Sequence, residues 1–409
     1  MVRLLFLLGL ALFLSVMIQY SLLTIKGLFF KLAPVPEPTN LQYPDIDILI
    51  PCHNEGIVLT DTLSAMARLN YPGNLYIYAL NDNSVDNTGE IAAAFAKTYK
   101  NIFHIEVPPG EPKGKSRVLN YGLSISHSPY FVIYDGDNQP EPNAVKFLAE
   151  AVLTNKNCVG SVGIVRTINA DTNLLTRMIA IEFQVFQLIL QTGRWASNQI
   201  GSLPGTNMLL SRKTLDSLGG YDEYALAEDA ELTIRITAAG YTISVVPQSI
   251  TWEQEPETLK SLIGQRTRWV QGNIYIMFKF FRTPAWHTKK CLHHLYHYAS
   301  VYILFPIVIL VSNIIFILGL LELLSLRFQF PFLFVWFIAY FTYTMQLIIA
   351  QWYDDTLTPT NLLVSSIMYF TYSQLFILLL FKGFLGYFKM KKSGKVHWEK
   401  TSRVSTKKK

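Results

Sequence analysis

The sequence predicts one α/β domain, with a mixed and mainly parallel sheet and helices on both faces, placed between transmembrane helices. Half of the 409 residues are hydrophobic and only 16% are charged. The longest apolar runs lie near the two ends of the chain, whereas residues 39–286 have ordinary polarity. Within that central stretch, short apolar runs alternate with helical patterns, which is typical of a sheet with crossover helices.

Four segments contain the roughly 20 apolar residues that one membrane crossing needs. They are residues 4–23, 298–321, 328–350 and 362–381. No small-residue cleavage site follows the first segment, so we expect a retained anchor at residues 1–30 rather than a cleaved signal peptide. The other three segments predict a transmembrane bundle at residues 295–388. We therefore expect a multi-pass protein of the cell membrane with a cytoplasmic central domain.

Residues 389–409 carry nine Lys or Arg and a single Glu. A basic segment directly after a span is typical of a cytoplasmic tail on anionic lipid, and we expect no nucleic-acid partner because the chain shows no other basic face with aromatic residues. If the central domain is cytoplasmic, three later crossings would place this tail outside. The acidic loop at Asp354 and Asp355 suits the outer face. We therefore expect that one segment does not cross fully and is interrupted at Pro306 or Pro331.

The central domain, residues 39–260, divides into alternating strands and helices. Strands are predicted at residues 45–51, 75–80, 102–107, 130–134 and 159–166, and helices at residues 58–69, from 86 onward, 116–126 and 143–155. Ligands of such sheets bind at the carboxyl ends of the strands. Four polar motifs fall at those ends: His53-Asn-Glu55, Asn81-Asp82, Lys113-Gly-Lys115 and Asp135-Gly-Asp137.

Two further helices, residues 174–190 and 269–281, combine bulky apolar side chains with a few charges. We expect both to lie on the membrane surface, with burial in the core as the alternative, and we assign residues 261–290 to an interfacial segment. His293, His294 and His297 lack acidic or cysteine partners nearby, so interfacial histidines are favoured over metal ligands. The three cysteines are too few for a disulfide framework and are expected as buried thiols.

Asp135-Gly-Asp137 closes a predicted strand with two carboxylates. Hard divalent cations such as Mg²⁺ bind a few carboxylates together with phosphate oxygens, and they neutralise the charge of a departing diphosphate. An ordinary acidic turn is the alternative. Lys113, Lys115 and Arg117 lie at the start of a predicted helix, and the amino end of a helix attracts phosphate. Solvated charges on a loop would produce the same pattern.

Three other sites carry candidate chemistry. Asp82 follows a strand and suits a contact to a ribose or base, with a helix-capping turn as the alternative. Asp229 begins an amphipathic helix and could accept the proton of an attacking hydroxyl, although an acidic first turn is ordinary in helices. The motif Gln265-Arg-Thr-Arg268-Trp269 offers an indole face for a sugar and guanidinium groups for a diphosphate. An interfacial Trp with basic neighbours would look the same.

In this order and beside membrane segments, the motifs resemble the family-2 membrane glycosyltransferases, which include cellulose, hyaluronan and poly-N-acetylglucosamine synthases. The resemblance covers roughly residues 46–272 and the flanking spans, and the layout is most similar to the poly-N-acetylglucosamine or hyaluronan type. Ala227 stands where Thr is commoner, and His53 where Tyr is frequent. The matching motifs are Pro51-Cys-His-Asn-Glu55, Asn81-Asp82-Asn-Ser-Val-Asp86-Asn-Thr88, Gly114-Lys115-Ser-Arg-Val-Leu-Asn120, Asp135-Gly-Asp137, Gly219-Gly-Tyr-Asp222, Ala227-Glu-Asp229 and Gln265-Arg-Thr-Arg-Trp269.

The resemblance implies a domain of the glycosyltransferase A type and a donor site made by its matching residues. Nucleotide contacts would come from Glu55, Asp82, Lys115 and Asp135. The divalent cation, Mg²⁺ or Mn²⁺, would be held by Asp135 and Asp137.

On the acceptor side, the resemblance makes Asp229 the general base and places Gln265, Arg268 and Trp269 beside the acceptor and the diphosphate. That motif is associated with processive polymerisation. We therefore predict an inverting β-glycosyltransferase that moves a hexose from UDP-N-acetylglucosamine or UDP-glucose to the non-reducing end of an exported polysaccharide. Transfer of one sugar to a membrane lipid is one alternative, and a catalytically silent scaffold or channel is another. A small membrane partner subunit would fit the modest number of spans.

Overall fold

The computed structural model describes residues 2–32, 41–155, 157–321 and 326–393. The strands are β1 Ile46–Cys52, β2 Leu75–Asn81, β3 Ile102–Glu106, β4 Tyr130–Ile133, β5 Gln139–Pro140, β6 Cys158–Thr167, β7 Met208–Ser211 and β8 Thr242–Glu253. The helices are α1 Val2–Leu32, α2 Leu59–Met66, α3 Thr88–Thr98, α4 Lys115–Ile125, α5 Ala144–Thr154, α6 Leu174–Phe183, α7 Thr192–Asn198, α8 Arg212–Ser217, α9 Glu228–Ala238, α10 Leu259–Arg282, α11 Lys289–Ala299, α12 Phe305–Leu320, α13 Leu326–Tyr353, α14 Pro359–Met368 and α15 Leu375–Ser393. Two π-helical segments, Gln184–Gln191 and Ser300–Leu304, join α6 to α7 and α11 to α12.

The strands form one sheet in the order β3-β2-β1-β4-β7-β6-β8-β5. Neighbours among β1 to β4 pair in parallel, as do β6 and β8, whereas β7 runs antiparallel to β4 and β6, and β5 to β8. This mixed sheet confirms the predicted α/β class. The predicted strands coincide with β1, β2, β3, β4 and β6 to within about one residue at each end, whereas β5, β7 and β8 were not predicted.

Both faces of the sheet are covered, as alternation of side chains along β1 requires. Ile48 points to one face and packs with Leu63 of α2, while its neighbour Leu49 points to the other and packs with Leu119 of α4. Asp47 is 1% exposed in the same strand. The ion pair with Arg212 at 2.9 Å offsets the desolvation free energy of this buried carboxylate. The parallel strands are thereby fixed with their carboxyl ends at one edge.

The helix that includes residues 174–190 lies between the sheet and the membrane helices, not on the membrane surface. It runs without interruption over Leu174–Asn198, and Ile179 is fully buried in one cluster with Leu347 of α13. α1 crosses its other side so closely that a Cβ atom on Gly193 would collide with the carbonyl oxygen of Leu23. The surface position predicted for this helix is therefore wrong, because neighbouring elements cover its apolar residues on both sides.

Four helical segments of the described residues are long and apolar enough to cross a membrane: Phe13–Phe30, Leu174–Asn198, Lys289–Leu318 and Pro359–Lys391. The predicted span at residues 362–381 is not one helix, because α14 ends at Met368 and a 3-10 turn, Tyr372–Gln374, precedes α15. Pro306 and Pro331 lie within α12 and α13 and end neither helix. Residues 394–409 of the predicted basic tail lie outside the described residues.

The acidic loop after α13 contacts the α/β domain. Asp354 is 8% exposed and forms an ion pair with Arg166 at the end of β6. It also accepts a hydrogen bond from Gln184 Nε2 at 2.9 Å. The loop therefore lies on the side of the α/β domain, so the outer-face position expected for the loop is incompatible with the cytoplasmic position expected for that domain.

Candidate active site

The carboxyl ends of β1 and β2 hold their polar residues together. The strand register pairs Cys52 with Asn81. Beyond them, Asp82 N donates to Cys52 O at 2.8 Å, and His53 Nδ1 donates to Asp82 O at 2.6 Å. Arg117 of α4 forms an ion pair with the Asp82 carboxylate. The guanidinium group of Arg117 thereby holds Asp82 at the sheet edge, and the phosphate contact expected for Arg117 stays a prediction.

Glu55 lies directly against the turn that follows β4. A Cβ atom on Gly136 would lie only 2.7 Å from Glu55 Cγ, so the glycine between the two aspartates permits this approach. Asp137 is 2% exposed and accepts a hydrogen bond from Gln254 N at 3.3 Å. Asp135 is more exposed, with its side chain at 35%. One carboxylate is thus fixed inside the fold, and the other remains accessible.

Lys115 links Asp135 to the other acidic residues of the site. Its Nζ lies 2.5 Å from Asp135 Oδ1, 2.7 Å from Gly205 O and 3.7 Å from Glu228 Oε1. Burial alone would lower the pKa of Lys115, but the carboxylates of Asp135 and Glu228 raise it above its ordinary value. The ammonium group therefore stays charged at neutral pH, and one cation connects the strand end of β4 with the start of α9.

Asp229 lies on the other side of this cation. A Cβ atom on Gly205 would lie 3.1 Å from Asp229 Oδ2 and 3.7 Å from Lys115 Nζ, which places the two side chains around one glycine. Gly205 has a φ of +90°, a conformation that favours glycine. Burial, followed by the nearby Glu228 carboxylate, raises the pKa of Asp229 to about 7. A carboxyl group with such a pKa can exchange a proton at neutral pH.

The loop that carries Gly205 also orients the strand end. Thr206 Oγ1 accepts a hydrogen bond from Asp135 N at 3.1 Å, and Leu203 N donates to Thr233 Oγ1 of α9 at 2.9 Å. Sequence reasoning missed this loop. Its only signal is the pair Pro204-Gly205, which indicates a turn but carries no reactive side chain.

α10 crosses the start of α9 at short range. A Cβ atom on Gly272 would lie 2.6 Å from the Cβ of Ala227, the residue that precedes Glu228. Three residues before Gly272, the ring of Trp269 has its centroid 4.0 Å from Arg266 Cζ and 6.3 Å from the ring of Phe183. The helix that carries the motif of Gln265 therefore packs on the residue before Glu228 through a glycine that the sequence did not single out.

Arg266 is neutralised inside the fold. It is 5% exposed, and its Nη2 lies 2.7 Å from Oε2 of Glu182, which is 6% exposed. Tyr372 donates a hydrogen bond to the same carboxylate oxygen at 2.6 Å. The expectation that both guanidinium groups of the motif face a diphosphate is therefore wrong for Arg266, whereas Gln265 and Arg268 are partly exposed.

A chain of hydrogen bonds connects α11 with the backbone of Asp229. Fully buried His294 accepts from Arg194 Nη2 at Nδ1 over 2.8 Å, because a guanidinium group can only donate. Its Nε2 therefore donates to Thr237 Oγ1 at 3.2 Å. Thr237 Oγ1 donates to Thr233 O, and Thr233 Oγ1 to Asp229 O, each at 2.8 Å. Buried His294 therefore joins α11 to α9, and its interfacial position stays a prediction.

The acidic residues fit a divalent cation that is shared with phosphate oxygens. In the described part of the chain, no group of three or more His, Cys, Asp or Glu side chains is arranged to hold a metal ion alone. Asp135 and Asp137 offer carboxylate oxygens from one turn, with Lys115 in contact with Asp135. Mg²⁺ characteristically takes one or two carboxylates and completes its shell with phosphates and water. This donor set suits a cation that arrives with a nucleotide.

Comparison with known proteins gives consistent matches. Residues 44–272 match the family described as "Glycosyltransferase like family 2". The chain is 38% identical to the probable glycosyltransferase YdaM of Bacillus subtilis, over 95% of this chain and 96% of that protein. It is 26% identical to a poly-β-1,6-N-acetyl-D-glucosamine synthase of Staphylococcus epidermidis, over 83% of this chain and 82% of the synthase.

One solved structure shares the fold over nearly the whole chain. The mannosyltransferase PcManGT from Pyrobaculum calidifontis, in complex with GDP-Man and Mn²⁺, superposes with a TM-score of 0.64. The match covers 93% of this chain and 97% of the mannosyltransferase at 18% sequence identity. At this identity the likeness concerns the fold alone.

Proposed function

Because the chain belongs to the glycosyltransferase-like family 2, we propose that it is an inverting, membrane-bound β-glycosyltransferase that builds a polysaccharide from a UDP-sugar. Membership makes the protein a glycosyltransferase with a fold of the glycosyltransferase A type, as the resemblance implied, and rules against the silent scaffold or channel. We propose UDP-N-acetylglucosamine or UDP-glucose as the donor. The polymer would grow at its non-reducing end.

The observation that supports this reaction best is Asp229 beside Lys115, with a pKa of about 7. In the proposed step, a hydroxyl oxygen of the acceptor attacks the anomeric carbon of the donor sugar. Asp229 takes the hydroxyl proton as the new glycosidic bond forms. The bond between the anomeric carbon and the diphosphate oxygen breaks at the same time, and UDP leaves with the electron pair. Attack opposite the leaving group inverts the anomeric configuration.

The donor would lie along the carboxyl ends of β1, β2 and β4. Glu55, Asp82 and Lys115 would contact the nucleotide there, with Asp135 bordering the same position. A Mg²⁺ or Mn²⁺ ion held by Asp135 and Asp137 would supply positive charge opposite the diphosphate. Lys115 adds a second positive charge, and its contacts with Asp135 and Gly205 hold it in place before the donor binds.

The acceptor would approach along α10. Gly272 packs this helix on Ala227, two residues before the proposed base, and Gln265, Arg268 and Trp269 would border the acceptor and the diphosphate. The adjoining apolar helices support a multi-pass protein. The catalytic domain would lie in the cytoplasm, where UDP-sugars would be supplied. Similarity to the poly-β-1,6-N-acetyl-D-glucosamine synthase favours a polymeric product.

The function is tested with purified protein in detergent. The protein is incubated with Mg²⁺ or Mn²⁺ and, separately, with UDP-glucose, UDP-N-acetylglucosamine or UDP-glucuronate, and UDP release and product length are measured. Asp229→Asn should abolish transfer and still bind UDP, whereas Asp216→Asn, which changes an exposed carboxylate of α8, should leave both unchanged. Ordinary turnover by Asp229→Asn would contradict the base assignment.

The same assay separates the second candidate function, transfer of one sugar to a membrane lipid. The chain is 29% identical to a β-monoglucosyldiacylglycerol synthase of a Nostoc species, over 56% of this chain and 49% of that synthase. A polysaccharide synthase is expected to release products of many lengths. A single product of lipid plus one hexose would decide for the lipid acceptor.

A further inference from the structure

α14 runs back along α13, as the contacts between them show. Gln351 Nε2 donates to Ser365 Oγ at 2.6 Å, and Tyr340 OH donates to Ser366 O at 3.3 Å. The ring of Tyr369 then lies 5.8 Å from the ring of Tyr340. Rising residue numbers in α14 therefore meet falling numbers in α13, and the two helices are antiparallel.

α15 reverses direction again and follows α12 toward its beginning. Asn313 Nδ2 donates to Gln374 Oε1 at 2.6 Å. The ring of Phe376 lies 5.5 Å from the ring of Phe305, eight residues earlier in α12. Further along α15, Leu379 packs in one cluster with residues 295–303 of α11 and the π-helical segment before α12. α15 is thus antiparallel to α12.

The helices along which α14 and α15 run, α13 and α12, are both anchored to the α/β domain at one end. α11, which leads into α12, contacts α9 through His294 and Thr237, and α13 ends at Asp354 on Arg166. α14 therefore starts on the side of the α/β domain, and α15 returns to that side. Asn313 is 13 residues beyond Ser300, so the turn between α14 and α15 lies about 20 Å along the α11–α12 helix.

The turn between α14 and α15 is tied to the proposed acceptor helix. Tyr372 is 3% exposed and donates to Glu182, which is paired with Arg266 of α10. The guanidinium group of Arg266 in turn lies against the ring of Trp269. The buried hydroxyl of Tyr372 therefore stabilises the ion pair whose guanidinium group contacts the ring of Trp269.

We propose that residues 359–391 form a re-entrant hairpin, which enters and leaves the membrane on the side of the α/β domain, and that its turn positions Trp269 through Tyr372. The positioning role rests on the proposed function, because it assigns Trp269 to the acceptor, whereas the hairpin itself does not. The hairpin also places Lys389, Lys391 and Lys392, at the end of α15, on the side of the α/β domain. Three full crossings would then satisfy the charge pattern of the sequence: those of α1 and α12, and that of α13, which contains the apolar run at residues 328–350.

The topology is tested by labelling single cysteines in intact cells with a membrane-impermeant maleimide. The native thiols Cys52, Cys158 and Cys291 are all buried, so the wild-type protein serves as the background control. We introduce three exposed positions, Leu321→Cys in the turn after α12, Leu357→Cys before α14 and Lys391→Cys at the end of α15. Only Leu321→Cys should react in intact cells, and the other two only after permeabilisation. External labelling of Lys391→Cys with Leu357→Cys protected would show a full crossing and overturn the hairpin.

The positioning role is tested with Tyr372→Phe, which removes only the hydroxyl. Transfer to the acceptor should fall about tenfold, whereas UDP release by hydrolysis of the donor in water, and the KM of the donor, should stay unchanged. Tyr369→Phe is the matched control, since its hydroxyl lies at the same turn but 3.5 Å from Ser312 and not on Glu182. Equal loss of transfer and hydrolysis would mean a merely structural role and overturn the proposal.

The two tests also separate this inference from the proposed function. Labelling requires no activity, so it decides the topology even if the purified protein releases no UDP. A wild-type protein that hydrolyses the donor but forms only a lipid product would contradict the polysaccharide assignment. In that case the loss in Tyr372→Phe would be measured on the lipid product, with the same expected result.

Discussion

The pKa of Asp229 predicts how the rate of transfer depends on pH. With a pKa of about 7 instead of the ordinary 3.8, about 9% of this carboxyl group is ionised at pH 6 and about 91% at pH 8. An unperturbed aspartate would be almost fully ionised at both values. Since only the carboxylate can take the hydroxyl proton, kcat/KM should fall about tenfold from pH 8 to pH 6. The assay is UDP release by purified protein, with the divalent cation saturating at every pH.

The cause of the raised pKa of Asp229 can be tested through the midpoint of the pH profile. Burial contributes most to the raised pKa of Asp229, and the Glu228 carboxylate comes next. Glu228→Gln removes that negative neighbour, so the midpoint of the pH profile should move to lower pH. Asp216→Asn, an exposed carboxylate, should leave the midpoint in place. A flat profile between pH 5.5 and 8 in the wild-type enzyme would refute the reasoning, as would an upward move in Glu228→Gln.

Three further outcomes follow from buried groups. The Asp229→Asn variant should melt in detergent at a higher temperature than the wild-type protein. The difference in melting temperature should grow from about pH 4 to pH 7 and then stay constant, because the raised pKa makes ionisation of Asp229 unfavourable only in the folded state. A difference that does not depend on pH would contradict this. Glu182→Gln leaves a buried guanidinium group without its counter-charge, so the free energy of unfolding, measured with denaturant, should fall by about 3–5 kcal/mol. His294→Ala breaks the hydrogen bond to Thr237 and should lower kcat without changing the KM of the donor in steady-state assays, whereas the exposed His293→Ala should change neither.

The fold and the sheet edge proposed to bind the donor were predictable because both depend on local sequence patterns. Parallel strands joined by helices bring their carboxyl ends to one edge, so polar motifs far apart in sequence were expected to meet there. The structure does place Glu55 against the turn of Asp135, and Lys115 against Asp135 and Gly205. The roles of these residues in binding and catalysis stay predictions.

The parts that sequence reasoning missed depend on long-range pairing. Arg266 looked available for a diphosphate, but its partner Glu182 comes 84 residues earlier and appears in no motif. The loop of Gly205 carries backbone groups and not side chains into the site. Hydropathy counted residues 362–381 as one span, since the polar residues of the turn Tyr372–Gln374 are too few to interrupt an apolar run of this length.

The crossing between α1 and the helix Leu174–Asn198 bears on how the protein can be produced. Both helices contribute a glycine, and a Cβ atom on Gly27 would lie 2.7 Å from Ile189 O, so the two backbones touch with no room for side chains. A generic anchor fused at residue 33 would not reproduce this fit. A truncated fragment that begins at residue 39 would expose the apolar strip around Gly193 to solvent. Expression trials should therefore retain the first helix with its own sequence, because it forms part of the folding unit and does more than tether it.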